Sequence, residues 1–251
     1  MDQSEFVELL KNVPTEVLAK IIGRSLLSDA AILRHMEKGN IVIDPFKREN
    51  LKTNSYDVTL GSLFYREQPP LPGKKIFNPY SEEDTKAIWG EPCKAQPAML
   101  LIKNCGPQEN IDSDDLVILV DFHETILAHT DEFIGGRNGV VTTMMQARSG
   151  VGRCFTEVCK CAGWGDVGYV NRWTMEITNN SRYYAIPWLV GTRIAQIAFY
   201  EVEKILDLTA DYVAIGKYQT ENSLEKLKTN WTPSAMLPKM YLDLEITKKK
   251  K

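Results

Sequence analysis

The stretch from Gln146 to Asn180 reads QARSGVGRCFTEVCKCAGWGDVGYVNRWTMEITNN. It follows a β-prone run, Val140–Met145, and passes into a turn with two arginines, a hydroxyl and two glycines, Arg148-Ser149-Gly150-Val151-Gly152-Arg153. Glycines 163, 165 and 168 with Asn171 then predict a tight hairpin between Asp166 and Glu176. Glu176 lies between Met175 and Ile177, so strict alternation puts it on one face with Thr174 and Thr178. Many short strands with few helices between them point to an all-β sandwich or barrel.

The same texture runs outward. After Gly39, β-prone runs recur at Ile41–Ile43, Tyr56–Leu60, Met99–Ile102, Leu116–Val120, Thr125–Ala128, Thr174–Thr178 and Arg193–Tyr200. Apolar spacing over residues 4–25 predicts N-terminal helices, broken near Pro14. Ser28 is the expected N-cap of a helix over Asp29–Lys38, and Gly39 its stop. Pro69–Pro97 reads as a long excursion, Leu224–Leu227 as helical and Met240–Ile246 as one more strand. The organisation expected is a helical extension (1–25), a β domain (26–222) and a C-terminal extension (223–251) ending in a solvated lysine run.

Composition narrows the function. The chain has 251 residues, 30 Lys and Arg against 33 Asp and Glu, and a formal net charge of −3. That field is poor for gripping a nucleic-acid backbone, so no nucleic-acid partner is expected. No apolar run approaches the ~20 residues of a spanning helix, and the acidic N-terminus has no signal-peptide pattern, so the expectation is no membrane and a cytoplasmic location. Five cysteines, an odd number without a C-x-x-C pair, argue for free thiols, with Cys159 and Cys161 alternating along a strand. His35-Met36-Glu37 has the H-x-E form of zinc deaminases, but Pro92-Cys93 continues as Lys94-Ala95-Gln96 and not as C-x-x-C, so zinc is not expected. His123 and His129, assigned to a strand pair, have no ligand-like spacing.

Two readings stay open at each chemical motif. Arg148–Arg153 suits a phosphate cradle, since glycine admits backbone N–H groups and arginine offers forked donors, but it is also an ordinary solvated turn. Glu176 on a partly apolar strand suits a general base with a raised pKa, but also a surface carboxylate paired with arginine. Gly216-Lys217-Tyr218-Gln219, after Asp211-Tyr212, could close over a ligand or simply form a loop.

Taken together the motifs resemble the dCTP deaminase branch of the dUTPase superfamily, over roughly residues 26–222. Asn54-Ser55-Tyr56-Asp57-Val58-Thr59-Leu60-Gly61 is similar to the family's "SYDvrLG" segment, and Thr130-Asp131-Glu132 to its "T-x-E" turn. Arg148-Ser149-Gly150 with Arg153 is similar to "RSSxxR", Ala162–Glu176 to "aGxiDpGyxGxxtLE", and Lys217-Tyr218-Gln219 to "KYQ". The resemblance implies a mainly β fold, a distorted β-barrel or jelly-roll of the dUTPase-like (β-clip) kind, and a homotrimer with active sites at subunit interfaces. It implies zinc-independent hydrolytic deamination of dCTP to dUTP and ammonia, with continuation to dUMP open, and Mg²⁺ accompanying the triphosphate.

By position, Glu176 would be the general base and Arg148 would support the water-activating end. Asp166 would hold the deoxyribose 3′-hydroxyl, and Ser149, Arg153 and Lys217 the phosphates. Gly150, Trp164, Tyr212, Gln219 and Glu221 complete the expected substrate contacts. Gly150 stands where the family has a second serine, Glu221 where it has glutamine, and Asn171-Arg172 where it has a hairpin glycine. "RSG" is the dUTPase form, so a dUTP diphosphatase is one alternative. A catalytically inactive trimeric nucleotide-sensing module is the other. Glu176 separates deaminases from plain dUTPases, which have an apolar residue there.

Overall fold

The computed structural model describes residues 25–70, 72–203, 205, 212, 216–219 and 221–248. The helices expected over 4–25 therefore lie almost wholly outside the described residues. In chain order the elements begin with α1 (Asp29–Glu37), β1 (Ile41–Asp44), β2 (Tyr56–Arg66), α2 (Glu82–Trp89), β3 (Cys93–Lys94), β4 (Gln96–Pro97) and α3 (Ala98–Cys105). They continue through β5 (Leu116–Val120), β6 (Thr125–Gly136), β7 (Val141–Ala147), α4 (Ser149–Arg153), β8 (Thr156–Glu157), β9 (Trp164–Gly165) and β10 (Val170–Asn179). β11 (Ile186–Leu189), β12 (Arg193–Glu201), α5 (Leu224–Asn230) and α6 (Leu244–Thr247) complete the order.

The architecture is mainly β. One curled sheet runs β8-β10-β6-β2-β12-β7-β9, with β1 added on β6 and β3 on β2. A smaller sheet, β11-β5-β4, stands beside it. The core is filled by alternate residues of these strands, among them Tyr56, Met145, Met175, Ile177, Ile197 and Phe199, all essentially inaccessible. α1 is set as expected: the Ser28 hydroxyl accepts from Ala31 N–H, and Gly39 turns the chain at φ +72°.

β6 is the hub. Its neighbours change register around Thr130: between Arg172↔Phe133 and Thr174↔His129 on the β10 side, and between Leu60↔Thr130 and Phe64↔Ala128 on the β2 side. Side chains close the gaps that slipped ladders leave. The Thr130 hydroxyl accepts from Trp173 N–H (2.9 Å) and donates to the Glu132 carbonyl (2.8 Å). The buried Glu132 carboxylate accepts from the Thr59 N–H and hydroxyl, both at 2.9 Å. Thr130-Asp131-Glu132 is thus the middle of a strand and not a turn. Gly61 is required beside it, because a Cβ there would fall 2.0 Å from the His129 ring.

Several expectations need correction. Met99–Ile102 lies in helix α3: Ala, Met and Leu favour helix, Pro97 precedes them and Gly106, at φ +82°, ends the turn. Met240–Ile246 forms a 3₁₀ turn and α6, with Asp243 at the break between them. The Pro69–Pro97 excursion contains α2, whose Ser81 cap accepts from Asp84 N–H. Cys159 and Cys161 sit in a turn, Cys159 buried and Cys161 exposed at φ +62°, while all five cysteines are free thiols. His123 is in a turn and His129 in β6, so they form no strand pair.

The C-terminal extension lies on the outer face of the sheet. Met236 and Leu237 bury themselves against Tyr65 and Leu127, worth about 1.5–3 kcal/mol per side chain in removed apolar surface. Among the described residues no helix is long and apolar enough to cross a membrane. Thr130→Val should lower unfolding free energy by about 1–3 kcal/mol in a denaturant titration, because it strands the buried Trp173 N–H.

Candidate active site

β10 carries two faces. Trp173, Met175 and Ile177 enter the core, while Arg172, Thr174 and Glu176 are half-buried on the other side. Glu176 pairs across with Leu127, and Thr174 with His129. Glu176 opens into a cavity of about 480 Å³. Asp166, Trp164 and Tyr212 line the same cavity, so the structure brings together four of the residues singled out in the sequence.

The route to this arrangement differs from the expected hairpin. β9 pairs with β7 (Thr143↔Gly165, Met144↔Trp164), whereas β10 pairs with β6 and β8. Gly165 permits the approach, since a Cβ there would lie 2.3 Å from Thr143 Oγ1 and 2.4 Å from the Trp173 ring. Asp166 directly follows β9 and Glu176 lies on β10, strands that are not neighbours, and the two converge because the sheet curls.

The electrostatics of the cavity are set by burial. Burial pushes the Glu176 carboxyl up to about 7, against the weaker pull of its own backbone N–H and of Lys160. Burial likewise raises the Tyr212 hydroxyl to about 12 and the Tyr169 hydroxyl above its ordinary range. His129, behind Thr174, moves the other way: burial lowers it to about 4, so it stays neutral, with Nδ1 2.8 Å from the Thr130 carbonyl.

The arginine motif lies elsewhere in the chain. Arg148 lines a separate recess of about 340 Å³, with Lys47 and Arg193 among its walls. Its Nε is 3.4 Å from the buried Asp57 carboxylate, which Arg193 approaches to 3.3 Å. Ser149, Gly150 and Arg153 are exposed on α4, and none of them lines the Glu176 cavity.

Lys217, Gln219 and Glu221 hold other parts of the chain. Lys217 forms an ion pair with Asp243. Gln219 is buried; its Oε1 accepts from Val170 N–H (2.6 Å) and its Nε2 donates to the Gly168 and Glu221 carbonyls. Asn171 donates to the Tyr218 carbonyl at 3.0 Å. Glu221 accepts from the N–H groups of Asn222 and Ser223 and pairs with Lys226 at 3.3 Å, bracing the start of α5.

Sequence reasoning missed Trp89, Leu127, Met236 and Pro238, which also line the cavity. Leu127 had a signal, as a member of a β-prone run. Trp89 and the two C-terminal residues had none, because only long-range packing brings them there. Among the described residues no three His, Cys, Asp or Glu side chains gather as a metal site.

A family model described as dCTP deaminase-like matches residues 26–202. The chain is 24% identical over 180 residues to a protein of Methanosphaerula palustris named "dCTP deaminase, dUMP-forming", covering 71% of this chain and 82% of that one. It is 27% identical over 200 residues to a Clostridium botulinum protein of the same name, covering 80% and 94%. Its fold is similar to the crystal structure of 2′-deoxycytidine 5′-triphosphate deaminase from Agrobacterium tumefaciens, with a TM-score of 0.50, 14% identity and coverage of 80% of this chain. The match spans about half of that protein, 54%.

A carboxyl held up at about 7 contributes stability that is full below its unfolded value near 4.5 and fades as pH rises through 7. Glu176→Gln should therefore gain on the wild type by about 1–3 kcal/mol between pH 4.5 and 8, read from denaturant midpoints at each pH.

Proposed function

The chain belongs to the dCTP deaminase-like family, and from that premise we propose that it hydrolyses dCTP to dUTP and ammonia, with Glu176 as general base. The observation that carries the reading is a half-buried carboxyl facing a cavity lined by Trp164, Tyr169, Trp173 and Tyr212, where desolvation raises it to about 7. Such a group is part ionised at neutral pH, so it can take a proton and later return it.

In this mechanism Glu176 removes a proton from a water that attacks C4 of cytosine. The tetrahedral intermediate collapses as Glu176 delivers that proton to the departing amino group, while the proton of the new C4 hydroxyl ends on ring N3 and C4=O forms. One water is consumed, and one ammonia leaves. Asp166, on the same cavity, holds the 3′-hydroxyl, while Trp164 and Tyr212 bound the nucleoside. The water is activated by the carboxylate and not by zinc, a reading supported by the missing P-C-x-x-C partner of His35-Met36-Glu37.

Ser149, Arg153 and Lys217 bind phosphates in this reading, with Arg148 supporting the developing charge. Their donor set is cationic and hydroxylic, which fits phosphate oxygens and not a bare cation. Mg²⁺ would accompany the triphosphate, where it would neutralise part of the phosphate charge. The base-side and phosphate-side groups line separate regions of one chain, which supports a homotrimer whose sites are completed by a neighbour. Lys217 must leave Asp243 to meet a phosphate, while Gln219 and Glu221 act on the nucleotide through the segment they brace. The names of the relatives favour onward hydrolysis to dUMP. A cytoplasmic site of action accords with that substrate.

One observation favours a dUTP diphosphatase instead: Gly150 in the arginine motif. The deciding assay incubates the protein with dCTP and with dUTP, with Mg²⁺ and after chelation, and separates products by ion-pair chromatography. dUTP or dUMP from dCTP is the expected result. Turnover of dUTP alone would replace the deaminase with a diphosphatase, and inertness toward both would leave a nucleotide-sensing module.

Glu176→Gln should retain nucleotide binding and lose ~10²–10⁴-fold in deamination rate, and wild-type turnover by that variant would refute the assigned base. Deamination should rise with pH through about 7 as the carboxyl ionises. Arg153→Ala should weaken triphosphate binding about tenfold or more, measured by calorimetry in the Glu176→Gln background, since one charge-assisted contact is worth ~1.5–3 kcal/mol.

A further inference from the structure

Part of the Glu176 cavity is walled by residues beyond the family match, which ends at 202. Tyr65, Leu127 and Glu176 stand opposite one another on β2, β6 and β10, forming one row across the sheet. The two apolar members lie beneath Met236 and Leu237, and the third is the carboxyl. In the neighbouring row Trp231 covers His129, with ring centroids 4.7 Å apart, and the Arg172 guanidinium sits 4.9 Å from the Trp231 ring. Met236 and Pro238 then form the cavity wall together with Trp89.

This covering is fastened at several points. Lys239 N–H donates to the Tyr218 hydroxyl (3.1 Å), and its Nζ donates to the Lys217 carbonyl (3.2 Å). Lys217 is paired with Asp243, and Lys228 with Asp44 at 2.6 Å. These contacts lay residues 231–243 along the sheet face.

We propose that Trp231–Pro238 is a built-in wall of the Glu176 cavity, in which Met236 and Pro238 are positioning residues that keep bulk water off the carboxyl and bound the space for the pyrimidine ring. The second role rests on the deaminase reading; the first does not. The polar groups around Glu176 are Lys160 and Cys159 from the turn after β8, Asp166 after β9, and Tyr169, Tyr212 and Tyr218. Lys160 favours the charged form. The apolar wall opposes it by excluding solvent.

The test follows the Glu176 carboxyl by carbon NMR in protein labelled at glutamate Cδ, its signal identified by loss in Glu176→Gln. Met236→Ala should move the titration midpoint down by about one pH unit or more, on the scale of desolvation shifts, and Met236→Leu should restore it. Pro238→Ala should move it in the same direction, and decides the matter if Met236→Ala does not fold. A wild-type midpoint in the folded alanine variants would overturn the wall. Steady-state assays then read the second role: the KM for dCTP should rise several-fold in Met236→Ala and recover in Met236→Leu, and an unchanged KM would overturn it. The two readings fail separately. A wild type inert toward dCTP, with the midpoint still moving, removes the deaminase and leaves the solvent-excluding wall. Turnover with an unmoved midpoint removes the wall and leaves the deaminase.

Discussion

The Thr130 hydroxyl sits where both neighbours of β6 slip register, and it ties the slipped strands together. A ladder that shifts leaves an N–H without its carbonyl, and a buried N–H without a partner is costly. The Thr130 hydroxyl accepts from the stranded Trp173 N–H and donates to the Glu132 carbonyl, while the Glu132 carboxylate accepts from Thr59 on the other side. Three strands are thereby locked through side chains buried beyond solvent reach. The position of Glu176 depends on this lock, because it lies three residues beyond Trp173 on the same strand. A one-residue slip there would turn the carboxyl toward the core face.

Above that frame, one sheet face performs two tasks. Its apolar patch, Tyr65 and Leu127, needs cover, and Met236 and Leu237 provide it. Its polar residues, Thr174 and Glu176, need space, and the cavity beside the cover provides that. The same burial acts oppositely on the two titratable groups there. It raises a carboxyl and lowers an imidazole, so both are driven toward neutrality. Neutral His129 is a passive packing surface for Trp231. Glu176 is left close to half-ionised near neutral pH, a state suited to moving one proton back and forth.

The arginine motif follows a different logic. Arg148 and Arg193 converge on the buried Asp57, which fixes their direction while leaving α4 exposed.

Alternation and turn residues in the sequence were enough for the mainly β architecture, because periodicity and local backbone preference are properties of neighbouring residues. They placed most strands within a few residues and fixed α1 through Ser28 and Gly39. They failed at Met99–Ile102 and Met240–Ile246, where short apolar runs suit helix or strand equally and the choice rests on flanking residues and available partners. The motifs gave Glu176, Asp166, Trp164 and Tyr212, which do line one cavity. Only the tertiary structure decided that β9 joins β7 and not β10, that Gln219 and Glu221 brace the backbone, and that Trp89, Met236 and Pro238 wall the site. Those facts depend on contacts between residues far apart in the chain, and no local pattern encodes them.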